Sequence, residues 1–152
     1  WLAFNMLVGN SDAHLKNLSF LVSHEGVQLA PLYDLLSVAV YDSTAFDKPG
    51  WPTHTRLAWP VLGVHHFAGI TREVLLQAGG ALGLARGTAE RILESMRARM
   101  LPAAVRLYDE TVAENARLAA AQPHLSATLA GEARCLRAVV HTVIKEMALR
   151  IA

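Results

Sequence analysis

Apolar positions along this chain follow a helical period almost throughout, and only two short stretches near the start alternate in the manner of strands. Trp1, Leu2, Phe4, Met6, Leu7 and Val8 form an apolar helical pattern that runs into Gly9-Asn10-Ser11. Leu18 to Val22 and Val27 to Ala30 are short runs rich in strand-favouring residues, separated by Ser23-His24-Glu25-Gly26, and they predict a β-hairpin with Gly26 at a left-handed turn position. Pro31 removes a backbone donor and ends the second strand, leaving Leu32 to Asp34 as a loop before a helical pattern over Leu35 to Val40. Tyr41 to Pro60, broken by Pro49, Gly50 and Pro52, predicts a loop lying over the core. Thr71 is placed to cap a helix through about Leu82, with Gly79, Gly80 and Gly83 marking its terminus and loop. Thr88 suits the cap of another, in which Ile92, Leu93, Met96 and Met100 share one face. Pro102 fits the first turn of a third helix, broken at Gln122-Pro123. A last helix is expected over about Ser126 to Leu149, with Leu129, Leu136, Val139, Val140, Val143 and Met147 on its buried side. The expected fold class is mainly α, with one small β-hairpin.

Composition narrows the class without changing that picture. A chain of 152 residues suits one compact domain, and a hydrophobic fraction of 53%, much of it Ala and Leu, favours helix packing. No run reaches the roughly 18 apolar residues that span a bilayer, and no secretory pattern is visible, so a cytoplasmic location is expected. The single Cys135 has no internal partner for a disulfide and reads as a small apolar helix residue. A net charge of +1 gives no electrostatic reason for direct nucleic-acid binding.

The chemistry is concentrated in Gly9-Asn10-Ser11-Asp12-Ala13-His14-Leu15-Lys16-Asn17 and Pro31-Leu32-Tyr33-Asp34. Asp12 and Asn17 lie five residues apart in turn-prone sequence, and the hairpin between Asn17 and Asp34 would fold the second carboxylate back beside them. Phosphoryl transfer from ATP to a hydroxyl requires a carboxylate to orient that hydroxyl and accept its proton, which suits Asp12. Magnesium prefers hard oxygen ligands and keeps several waters, so the Asp34 carboxylate and the Asn17 amide oxygen suffice when phosphates supply the rest. A second carboxylate in place of Asn17 would add repulsion near Asp12, whereas an amide still offers an oxygen. Lys16 is placed to neutralise transferring phosphate, and His14 to brace the loop or, less simply, to move a proton.

Other readings of the same residues stay open at this level. Asp12 is also a natural turn residue, and Asp34 a natural N-cap for a helix beginning at Leu35. A hydrolytic metal centre would use Asp12, His14 and Asp34 with His54, His65 or His66, although adjacent histidines in an extended segment point to opposite faces. A noncatalytic helical interaction domain would need the polar motif only to stabilise a turn.

Residues 9–17 together with Leu29 to Ser37 closely resemble the C-terminal lobe of HipA-like serine/threonine kinases, toxins of bacterial toxin-antitoxin pairs. The order Asp-x-His-x-x-Asn is also similar to the catalytic loop of phosphatidylinositol 3-kinase-like enzymes. Similarity is strongest over residues 1–37, weaker through Thr55 to Ala58 and the Ile70 to Glu73 helix start, and unremarkable beyond about residue 100. Leu35-Leu36 stands where ordinary protein kinases have Phe-Gly, so a movable switch of that type is not expected. The resemblance implies Asp12 as catalytic base, Asn17 and Asp34 as magnesium ligands, and ATP as phosphoryl donor. It further implies a helix-turn-helix antitoxin of the HipB type as partner, DNA contact only through that antitoxin, and a protein substrate of the kind represented by aminoacyl-tRNA synthetases. Neither a glycine-rich phosphate loop on a strand nor a strand lysine occurs in these residues. The expectation is therefore that residues 1–152 form the C-terminal lobe, that the nucleotide-binding N-terminal lobe lies outside this chain, and that the chain alone is inactive.

Overall fold

The computed structural model describes residues 1–152 as a helical body carrying two separate antiparallel β-ribbons. Helix α1 spans Leu2–Val8 and stops where Gly9 takes the left-handed conformation (φ 68°, ψ 41°), its N–H capping the Asn5 and Met6 carbonyls. A tight 3₁₀ turn at Leu15–Asn17 leads into β1 (Phe20–Ser23) and β2 (Gly26–Leu29), paired from Phe20 opposite Leu29 to Ser23 opposite Gly26. Gly26 has φ 122°, the positive value that a glycine accepts without steric penalty. The hairpin expected from alternation is thus present, and every residue of both strands is exposed.

Three expectations change in the next stretch. Leu35 and Leu36 are not helical; the chain instead forms two short 3₁₀ turns at Val38–Asp42 and Thr44–Phe46. Asp34 therefore caps no helix. It sits at φ 57°, in the left-handed region that Asp and Asn tolerate better than other non-glycine residues. The end of the predicted loop is a strand: β3 (Arg56–Val61) pairs with β4 (Val64–His66), with an irregular register between Arg56 opposite His66 and Val61 opposite Val64. Pro60 and the irregularity hide β3 from an alternation test.

The helices match the sequence more closely. Thr71 caps α2 (Arg72–Ala81) by accepting the Val74 N–H at 3.3 Å. What the sequence divides at Pro102 is one helix of 36 residues, α3 (Arg86–Ala121), entered from Ala85 and not from Thr88. Pro102 is exposed, so the backbone carbonyl it deprives of a donor is on the side of the helix that water reaches. Helix α4 (Ser126–Ala138) continues without a break through a π-helical segment, Val139–Ile144, into α5 (Lys145–Arg150). That widened turn lets Val140, Val143 and Ile144 all face inward.

Helices α1, α2, α3 and α5 close with β3 around one core, in which Leu7, Phe67, Ile70, Met147 and Ile151 are completely buried. Each such side chain contributes about 1.5–3 kcal/mol relative to exposure. A smaller cluster of Val40, Ala138 and Val143 lies under the 3₁₀ turns. Of the residues expected on the buried side of the last helix, Val140, Val143 and Met147 are buried, whereas Leu129, Leu136 and Val139 are half-buried. Cys135 is a free, half-buried thiol packed against the smaller cluster. No helix is long and apolar enough to cross a membrane.

Candidate active site

The loop after α1 is fixed from below before any chemistry is considered. A Cβ on Gly9 would collide with Val143 Cγ1 of the π segment and lie 3.1 Å from Ala39 Cβ, so only glycine brings the backbone this close. The Gly9 carbonyl accepts the N–H of Ala39 at 2.9 Å and that of Ser11 at 3.1 Å, while Ser11 accepts the N–H of Ala58 from β3 at 3.0 Å. The loop is thereby seated on the last helix on one side and on β3 on the other.

Asn17 and Asp34 come together directly. The Asn17 amide donates from Nδ2 to Asp34 Oδ2 at 2.5 Å, and its Oδ1 accepts the His14 N–H at 2.9 Å. The orientation of this buried amide follows from its neighbours, because a backbone N–H demands an oxygen and a carboxylate demands a donor. Asn17 thus presents its nitrogen, not its oxygen, to Asp34. A cation shared between them would take the second lone pair of Asn17 Oδ1 or require the amide to turn.

Asp12 stands beside this pair, linked through the backbone. Its carboxylate is exposed and makes no hydrogen bond or ion pair, while its N–H donates to Asn10 Oδ1 at 3.2 Å and Asn10 donates to the Asp34 carbonyl at 2.8 Å. Lys16 is exposed with no carboxylate against its ammonium group. His14 is half-buried, and its Nδ1 is shielded from water without a hydrogen-bond partner. A buried polar atom without a partner is costly to keep.

The donor set fits a hard divalent cation. Asp34 keeps Oδ1 uncommitted, Asn17 keeps one oxygen lone pair, and neither a thiolate nor a cluster of imidazoles is near. No three His, Cys, Asp or Glu side chains converge anywhere in the molecule. His65 and His66 instead border an open cavity with Thr53 and Arg56, where a guanidinium opposes a cation. The hydrolytic centre built on His54, His65 or His66 therefore has no assembled ligand set.

Two residues that spacing alone does not single out complete the arrangement. Tyr33 donates its hydroxyl to the Lys16 carbonyl at 2.5 Å and lies 3.2 Å from Ser19 Oγ, which must then donate to it, so the phenol pins the loop of Asp34 to the 3₁₀ turn. Asn10 is buried between the Asn5 side chain and the backbones of Asp12 and Asp34. Only Asn5, a lone polar position in the apolar run from Leu2 to Val8, hints in the sequence at a buried polar link here; the flanks of Asn10 and Tyr33 mark neither.

Residues 1–104 match the HipA-like C-terminal domain. The chain is 50% identical over 42 residues to the serine/threonine-protein kinase toxin HipA of Shewanella oneidensis, a match covering 28% of this chain and 10% of that protein. It is 39% identical over 70 residues to the protein named "Putative kinase Y4mE" of Sinorhizobium fredii, covering 36% of this chain and 17% of that protein. In fold it resembles a chain of the Shewanella oneidensis MR-1 HipA, HipB and operator DNA complex, with a TM-score of 0.57 and 24% identity over 97% of this chain and 32% of that one. The chain thus spans less than a third of each of these proteins. With the match extending over residues 1–104, from α1 through the candidate site and into α3, the chain belongs to the HipA-like C-terminal domain family.

Proposed function

We propose that this chain is the catalytic-loop and metal-binding lobe of an ATP- and magnesium-dependent serine/threonine kinase, the toxin of a HipA/HipB-like pair. The observation that carries the reading is the direct contact of Asn17 with Asp34, 17 residues apart in sequence, with an exposed and uncommitted Asp12 tied to Asp34 through the Asn10 amide. Asp12 orients the substrate hydroxyl and accepts its proton. Asp34 and Asn17, through their free side-chain oxygens, would hold a magnesium ion, whose positive charge would offset the negative charge of the phosphate oxygens. Lys16 supplies positive charge towards the transferring group, and His14 fixes the loop through its N–H to Asn17.

On this reading the grip on ATP comes from a nucleotide-binding lobe outside residues 1–152, and the chain alone transfers no phosphoryl group. The partner is a HipB-like helix-turn-helix antitoxin, any contact with DNA runs through it, and the substrate is a cytoplasmic protein of the aminoacyl-tRNA synthetase kind. The reading is tested in the full-length kinase with radiolabelled ATP. Asp12→Asn is expected to lower the transfer rate by about 10²–10⁴-fold with the circular dichroism spectrum unchanged. A variant that retains wild-type transfer would leave the polar loop a purely structural turn.

A further inference from the structure

We propose that Asn10 is a positioning residue that sets Asp12 and Asp34 in register, a role that rests on the kinase reading above. Asn10 is 3% exposed, and three of the four hydrogen-bonding positions of its amide are in use, both donors among them. Nδ2 donates to Asn5 Oδ1 at 2.8 Å and to the Asp34 carbonyl at 2.8 Å, and Oδ1 accepts the Asp12 N–H at 3.2 Å. Its backbone N–H adds a bond to the Asn5 carbonyl at 2.9 Å.

The sense of every bond is dictated. Asn5, completely buried, donates its own Nδ2 to the Trp1 carbonyl at 2.9 Å, which leaves its oxygen facing Asn10. The Asp12 N–H needs an acceptor and the Asp34 carbonyl needs a donor, so an amide is the one short side chain that satisfies all three neighbours at once. The bond to Asp34 matters most, because that residue is held at φ 57° and its backbone orientation decides where its carboxylate points. Asn10 therefore acts on the metal site through Asp34 and on the proton acceptor through the Asp12 backbone, without facing either ligand itself.

Asn10→Asp separates this role from simple packing. It keeps the size and the oxygen for the Asp12 N–H, but sets a carboxylate oxygen against the Asn5 and Asp34 oxygens. In the full-length kinase, the magnesium concentration for half-maximal transfer should rise about 10–100-fold, as expected when a group behind a metal ligand is lost. The ATP KM at saturating magnesium should stay within about twofold of wild type. Asn10→Ser, which admits water in place of the amide, should show the same direction of change. Ser43→Ala is the control: it removes a buried hydrogen bond to the Val40 carbonyl away from the site, and should lower the melting temperature without moving the magnesium requirement. A folded Asn10→Asp or Asn10→Ser protein with wild-type magnesium dependence overturns the proposal. So does an equal rise in Ser43→Ala, and so does failure of both Asn10 variants to fold, which would assign the residue to stability alone. A wild-type protein that transfers no phosphoryl group is a different result, recognisable before any variant is made; it removes the kinase reading and this role with it.

Discussion

Gly9 carries the heaviest local constraint in the molecule, because it combines a left-handed backbone with a contact to Val143 that leaves no room for a methyl group. Gly9→Ala should destabilise the fold by about 2–5 kcal/mol, the sum of roughly 1–2 for the left-handed conformation and 1–3 for overpacking, measured by urea unfolding. A loss below about 0.5 kcal/mol would mean that the π segment shifts freely. At this scale the site was partly legible. The residue types and spacing of Asn17 and Asp34 point to one place, and they do meet. The role of Asn10 was not readable, since nothing in a linear sequence tells a buried amide from a turn residue; only the Asp34 carbonyl, 24 positions away, gives it a function. The direction of the Asn17 amide was equally hidden, because it depends on the His14 N–H finding its acceptor.

Among the elements, those marked by a local cap, turn or stop residue were the ones that could be read. The α1 helix, the capped start of α2, the first hairpin and the break at Gln122-Pro123 follow local chemistry. Leu35 to Val40 has helical periodicity but is drawn out by tertiary demands, since Asp34 must turn left-handed and Ala39 must reach the Gly9 carbonyl. Pro102 misleads in the other direction: a proline that begins helices elsewhere lies inside α3, tolerated because the helix continues on both sides and the lost bond faces water. Pro102→Ala should accordingly raise stability, by up to about 3 kcal/mol if the helix is otherwise undistorted, seen as a higher melting temperature. A lower melting temperature would show that α3 packs on α4 better with the proline in place.

Across the whole molecule, long-range order rests on few polar ties. Trp51 Nε1 donates to Glu146 Oε2 at 3.0 Å, and Arg150 donates to Glu146 Oε1 and to the Ala68 carbonyl, both at 2.9 Å. These bonds fasten Trp51, in the irregular chain between the two ribbons, and Ala68, just after the second ribbon, to the final helix. Glu146→Ala would leave a half-buried guanidinium and an indole N–H without their carboxylate, and should cost about 1–3 kcal/mol in thermal or urea unfolding. The fully exposed β1–β2 ribbon is the complementary feature: Phe20, Leu21, Val22, Val27 and Leu29 are each more than half exposed. A two-stranded ribbon is weak by itself, and this one is steadied by Tyr33 at its base and by the Ala30 N–H pairing with the Ser19 carbonyl at 2.8 Å. The closed embrace of Asn17 and Asp34 has a last consequence. Since the amide already occupies one carboxylate oxygen, an arriving ion meets a competitor instead of a vacancy, so lone magnesium should bind feebly and gain a firm hold only when nucleotide oxygens arrive with it.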